Sequence, residues 1–255
     1  MLQHVRVAGV VLSILLATLV SKSVLSDDGW RTSAGADWSI VGGDWANTRF
    51  SQLARINTQN VSTLRGAWMS QRFEGGTSRA TPIVKDGVMF VTARSAIYAL
   101  NAATGETKWR YGSGGSGRGG GQGQAAPSKE GVALGEGLVF AGLSDARVIA
   151  LRQTTGEVAW NQYIGDTPPV RGQASVGAPT YANGLVFFGL NADRGFRGQA
   201  VALDAKTGRQ VWKSFVVPDP MSPGHETWPK DNWPLLPSPR TCSRAANRSS
   251  KQRSA

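Results

Sequence analysis

The chain has 255 residues, 40% of them hydrophobic, enough for a sizeable core, and a formal net charge of +11. Five of its cations, Arg240, Arg244, Arg248, Lys251 and Arg253, fall in residues 235–255 and the rest are dispersed, which excludes the clustered basic face of a nucleic-acid binder. The single cysteine, Cys242, excludes a disulfide framework. With only His4 and His225, neither a histidine metal cluster nor a Ser-His-Asp set can be assembled.

Residues 1–26 read as a signal peptide. Arg6 supplies a weak basic start, residues 8–20 form an apolar stretch broken only by Ser13 and Thr18, and Ser23 and Ser26 offer small-residue cleavage points. The stretch is shorter than the roughly 20 residues needed to span a bilayer, which favours a cleavable signal, and so a periplasmic protein, over a membrane anchor. Residues 27–69 are rich in Trp, Asn, Thr and Gly without strand alternation and read as an ordered lead-in segment.

Residues 70–234 say one phrase three times. An apolar strand (96–100, 147–151 and 200–203) runs into a Thr-Gly turn at Thr104-Gly105, Thr155-Gly156 and Thr207-Gly208, and a second strand ends at Trp109, Trp160 and Trp212. The tryptophans are 51 and 52 residues apart, so this is a true internal repeat. Ahead of each phrase come a short strand (80–84, 131–134 and 178–182), a turn containing Gly87, Gly137 or Gly184, and a β-rich apolar run holding Phe90, Phe140 or Phe187. Four short strands per unit of about 50 residues predict an all-β fold of propeller blades. One blade cannot bury its own Trp, so each indole is expected to dock against a neighbouring blade.

The string from Gly42 to Ser51 with Trp38 before it, Ile56-Asn57-Thr58 with Asn60, Val61 and Leu64, the Ala67-Trp68 ending and the three Thr-Gly-x-x-x-Trp phrases together resemble the N-terminal part of the quinoprotein alcohol dehydrogenases, which use pyrroloquinoline quinone (PQQ). Ala80-Thr81-Pro82 and Gly177-Ala178-Pro179 resemble the same family, and the likeness runs from about Asp37 to Trp233. The resemblance implies an eight-bladed β-propeller with tryptophan-docking repeats, of which about three blades are present here. It also implies PQQ on the axis bridged by Ca²⁺ or a lanthanide, an alcohol substrate, and cytochrome c or a membrane quinone as electron acceptor. A non-catalytic scaffold propeller and a sugar-type quinoprotein are the alternatives.

Carried over residue by residue, the resemblance places Ser175, Asn191 and Ala192 at the cofactor and Asp193 as the metal ligand, in a loop where the family has a Gly-Ala-Glu string. Asp193 is either that ligand, since a hard cation accepts either carboxylate, or a turn acid paired with Arg194 or Arg197. Two positions exchange charge relative to the family: Arg79 replaces a Glu, and Glu130 replaces an Arg. Either the ion pair is rebuilt in reverse or the pocket differs. The family's vicinal cysteines are replaced by the Gly-rich run 112–124, whose G-x-G-x-x-G at 112–117 lacks the helix a nucleotide site requires.

His225 and Glu226 sit in a blade-linking loop and read as structural. Residues 235–255 hold cations, Ser and Pro with no acid and are expected to be a disordered, out-of-frame tail. Three blades fall short of the roughly four to eight that close a ring. The chain is therefore expected to be the N-terminal portion of a larger enzyme, inactive alone, needing further blades or another subunit, with both outer blade faces bare. No catalytic residue is assigned within it.

Overall fold

The computed structural model describes residues 33–70, 73, 78–93, 96–112, 125–167, 172–191, 198–218 and 221–228. Residues 1–26, where a signal peptide is expected, the run 113–124 and the expected tail 235–255 lie outside the described residues. Three four-stranded antiparallel sheets follow one another along the chain, each a meander in sequence order. The first holds β1 (Ile83–Lys85), β2 (Val88–Ala93), β3 (Ala96–Asn101) and β4 (Thr107–Gly112). The second holds β5 (Ala133–Gly135), β6 (Leu138–Gly142), β7 (Arg147–Arg152) and β8 (Val158–Tyr163). The third holds β9 (Ser175–Ala182), β10 (Leu185–Leu190), β11 (Gln199–Asp204) and β12 (Gln210–Phe215). Strand for strand, this is the blade architecture expected from the repeat.

Two turns give each blade its register. Asp86-Gly87, Glu136-Gly137 and Asn183-Gly184 have positive φ at both residues, the two-residue hairpin geometry whose twist matches the flanking strands. The Thr-Gly turns place Gly105, Gly156 and Gly208 at φ between 72° and 75°. The residue three positions before each of these glycines donates its N–H to the first turn of the same blade: Ala102 to Gly87 O at 2.9 Å, Gln153 to Gly137 O at 3.0 Å, Ala205 to Gly184 O at 2.9 Å. Both turns of a blade are thus tied together at one end.

The carbonyls of those same three residues receive the indoles of the preceding element. Trp109 Nε1 donates to Gln153 O at 2.8 Å and Trp160 Nε1 to Ala205 O at 2.9 Å, each reaching from one blade to the next. The rings lie so close over the glycines that a Cβ on Gly156 would stand 2.7 Å from Trp109, and one on Gly208 2.7 Å from Trp160. Within its own blade, each Trp pairs across from an alanine (Ala99, Ala150, Ala202) and packs near the phenylalanine of the second strand. The core therefore lies between blades. One cluster joins Phe90, Ile97 and Trp109 to Val139, Ile149 and Leu151, and another joins Phe140, Val148 and Trp160 to Val186, Val201 and Leu203.

The lead-in segment corrects one expectation. It forms no extended strand, but Trp38 exchanges two backbone hydrogen bonds with Val84 on β1, at 2.7 and 2.9 Å, and Trp68 donates to Ala102 O at 3.0 Å while covering Gly105. Trp68 thus occupies on the first blade the place that Trp109 occupies on the second, and with Phe73 it packs on Val91, Tyr98 and Leu100. The first blade's outer face is covered rather than bare. Among the described residues the third blade's is open: Trp212 is 41% exposed, against 9% for Trp109 and 8% for Trp160, and Val211, Phe215 and Val216 are exposed as well.

Candidate functional site

Residues just ahead of β1 and β5 and one within β9 converge. A Cβ built on Gly131 would lie 3.5 Å from the Cβ of Ala80 and 3.6 Å from that of Ala178, so three blades meet there in small side chains. Gly131 has φ +123°, a conformation that L side chains rarely adopt. In β9 the register against β10 slips between Phe187 and Gly189, a bulge that absorbs Gly177-Ala178-Pro179 and lets a proline sit inside a paired strand. Bulges of this kind re-aim backbone and side chains at sites.

Arg79 and Glu130 precede β1 and β5 at this convergence and form an ion pair, Arg79 Nη1 to Glu130 Oε1 at 3.2 Å. The Arg79 N–H also donates to Lys129 O at 3.1 Å. Of the two outcomes the charge exchange left open, the structure holds the first: the pair is rebuilt in reverse.

Ser175, the first residue of β9, is 4% exposed; its N–H donates to Leu143 O at 3.2 Å across the blade boundary. Its hydroxyl is buried without a hydrogen-bond partner and lies directly against Gly142, where a Cβ would collide with it. Asn191, just past β10, clamps the approach to Ser175. It accepts from Ala174 N–H at 2.9 Å, donates its own N–H to Ala174 O at 3.1 Å, and sends Nδ2 to Gly172 O at 3.3 Å. Asn191 therefore stands beside Ser175, next to the Leu190–Ser175 pairing of β10 with β9. Ala192 and Asp193 lie outside the described residues. Among the described residues, no three His, Cys, Asp or Glu side chains group to hold a metal ion. His225 sits in a single 3-10 turn, His225–Thr227, after β12.

Sequence reasoning missed a polar node under this site. Asp166, in the linker from β8 to β9, accepts from Gln199 Nε2 at 2.9 and 3.2 Å, from Gln173 Nε2 at 3.2 Å and from Lys213 Nζ at 3.1 Å. Lys213 also donates to the carbonyls of Ile164 and Gly165, and Gln173 Oε1 accepts the Asp166 N–H. Burial works to raise the Asp166 pKa, but the hydrogen bonds from Gln199 and Lys213 and the lysine charge outweigh it and hold the carboxyl below its ordinary range. The only signal in the sequence was Gln199, a polar residue ahead of four apolar ones, and the structure buries it almost fully.

Four-stranded blades stacked through indole-on-glycine contacts, with small residues converging at the inner end, define a tryptophan-docked β-propeller. Residues 38–233 match the family described as PQQ: glucose/ethanol/alcohol dehydrogenase, beta-propeller domain, and the chain belongs to that family. It is 38% identical over 191 residues to the quinohemoprotein alcohol dehydrogenase of Comamonas testosteroni, covering 73% of this chain and 27% of that protein. The crystal structure of the Comamonas testosteroni enzyme superposes with a TM-score of 0.64 at 34% identity, over 78% of this chain and 30% of that one. The 1-butanol dehydrogenase (cytochrome c) of Thauera butanivorans is 35% identical over 195 residues, 75% of this chain and 27% of that protein. A europium-containing methanol dehydrogenase superposes with a TM-score of 0.59 at 29% identity, over 71% of this chain and 32% of that one. The chain thus spans under a third of the length of these relatives.

Proposed function

We propose that the chain is the first part of the propeller of a periplasmic dehydrogenase that oxidises alcohols with PQQ and passes electrons to cytochrome c or a membrane quinone. The observation that carries this reading is the unbroken family match of residues 38–233, over all three blades and the lead-in segment. It favours a dehydrogenase over a scaffold propeller. The alcohol substrate and the cytochrome c acceptor follow the names of the relatives, and the europium enzyme supports Ca²⁺ or a lanthanide as the accompanying metal.

Two observations support this place for a cofactor: a hydroxyl at Ser175 that the protein leaves without a partner, and the close meeting of the small residues Ala80, Gly131 and Ala178. When bound, PQQ supplies the electron sink and the metal polarises its carbonyl. Ser175 and Asn191, continued by Ala192, would hold the cofactor's edge, and Asp193 would hold the metal. The Asn191 clamp fixes residues 172–174, and the Asp166 node anchors the linker that leads to them. A side chain placed this way costs less ordering when the cofactor arrives.

The three blades act with further blades that complete the ring. Trp212 is poised to receive the next Thr-Gly turn, as Trp109 and Trp160 do within the chain. The test is dye reduction with ethanol, PQQ and Ca²⁺ by the chain alone and by the chain co-expressed with a polypeptide carrying the remaining blades. Turnover only in the second case is expected. Robust turnover by the chain alone would refute its dependence on other blades, and none in either case would refute the alcohol dehydrogenase reading.

A further inference from the structure

Beside β12 the chain forms a groove of about 430 Å³, walled by Phe215 and Pro218 at the end of the strand and by Pro223, Thr227 and Trp228 of the loop that follows. Trp212 is not one of its walls, so the groove differs from the seat of a next Thr-Gly turn. Phe215 and Trp228 are both exposed. The loop wall is held in place by its own backbone: His225 N–H donates to Ser222 O at 3.2 Å, Thr227 N–H to Gly224 O at 3.1 Å and Trp228 N–H to His225 O at 3.0 Å. Glu226 adds to this, its Oε2 accepting the Gly224 N–H at 3.0 Å, and as an exposed residue it puts one carboxylate at the groove's edge.

A groove with aromatic and proline walls suits an extended proline-rich strand. Polyproline II segments dock in aromatic-lined grooves because they arrive already ordered and lose little entropy. The chain carries such a segment. Residues 234–239 read Pro-Leu-Leu-Pro-Ser-Pro, a P-x-x-P arrangement, and lie outside the described residues. At three residues per turn Pro234 and Pro237 fall on one edge, and the segment extends about 16 Å. Residues 229–233 join it to Trp228, itself a wall of the groove, and their reach of at most about 18 Å is enough to turn back along it. Charge favours this occupant as well: Arg240 follows Pro239, and residues 235–255 hold no acid to compete with the Glu226 carboxylate. A tether this short sets an effective concentration of about millimolar, so weak contacts suffice.

We propose that residues 234–239 dock in this groove as a polyproline II strand, with Pro234 and Pro237 against Phe215 and Trp228 and with Arg240 beside Glu226. Docking orders the first residues of a tail whose composition alone predicts disorder. It also takes two exposed aromatic rings of the third blade out of water, and it does so independently of PQQ.

The test uses the chain's single cysteine, Cys242, three residues past Pro239. A nitroxide attached there broadens nearby amide signals in the nuclear magnetic resonance spectrum of the 255-residue chain, and the same label after reduction gives the reference. The amides of Phe215, Gly224 and Thr227 should lose about half their intensity or more, because Cys242 is tethered within about 11 Å of Pro239. Those of Val139 and Ile149, in the core between the first two blades, should keep theirs. Pro234→Gly combined with Pro237→Gly, which touches none of the described strands, should restore the groove signals. Intact groove signals in the unsubstituted chain, equal losses at Val139 and Ile149, or losses that survive the double substitution would overturn the proposal. So would broadening in a mixture of isotope-labelled chain without nitroxide and unlabelled chain carrying it, since the groove would then hold the segment of a second copy.

Discussion

Lys213 Nζ lies 3.1 Å from Asp166 Oδ1, joining the outer strand of the third blade to the linker that leaves the second. The folded pKa of Asp166 is held below its ordinary value of 3.8, so the contribution of this contact is fully present above that value and is lost as pH falls through the folded pKa. Acid should therefore loosen the boundary between the second and third blades. Asp166→Asn should cost about 1 kcal/mol at neutral pH, the pair being partly solvated, and should flatten the acid limb of stability measured by urea unfolding between neutrality and pH 3. An unchanged acid limb in Asp166→Asn would show that other carboxyls control it.

Gly208→Ala should be among the most damaging single-carbon additions in the chain. The new Cβ meets the Trp160 ring at 2.7 Å and sits at φ +72°, which together cost about 2–4 kcal/mol. Gly137→Ala is the control: its φ of +71° is nearly the same, but nothing lies within 4 Å, so only the backbone part, about 1–2 kcal/mol, should appear. Denaturant midpoints compared at equal m-value separate the two.

Trp160→Phe keeps most of the ring and loses the hydrogen bond to Ala205 O, with an expected cost of about 1 kcal/mol. Trp160→Ala removes the whole docking contact and should cost about 3–5 kcal/mol. The same pair of substitutions at Trp212, which is 41% exposed, should change stability by less than 1 kcal/mol.

Ser175→Ala should leave the cofactor-free chain as stable as before, or more stable by up to about 1 kcal/mol, because it removes a buried hydroxyl that has no partner. PQQ affinity should fall in the same variant. A stability loss above 1 kcal/mol without PQQ would mean that the hydroxyl serves the fold.

Much of this was legible in the sequence, for a physical reason. A repeat written three times places the four strands of each blade, its two turn glycines and its Trp by comparison with its copies, and short-range turn chemistry then sets the register. The Arg79–Glu130 pair was legible only as one of two outcomes of the charge exchange, and the 3.2 Å contact was needed to choose it. The Asp166 node was not: residues 166, 173, 199 and 213 share no motif, and only the folded packing of the two blades brings them together. Nor was the role of Trp68, since residues 33–70 lack strand alternation and their attachment rests on scattered contacts: the Trp68 indole, two backbone bonds at Trp38, and Asp37 accepting from Asp86 N–H beside Lys85. Asp193 lies outside the described residues, so the metal assignment rests where the sequence left it.

The unequal ends of the arc have a consequence for how it comes apart. Each indole-on-glycine contact couples only neighbours, so the blades behave as a short one-dimensional array whose stability is the sum of units and couplings. Trp68 caps the first unit, and within the described residues the third has no cap. Fraying should therefore start at β12 and travel toward β1, like a zipper with one stop. Amide exchange should read this as a gradient, fastest in the third sheet, which among the described residues has a tryptophan contact on one side only, and slower in the first two, which have one on each side. A blade added beyond Trp212 would slow exchange across all three sheets without touching the first.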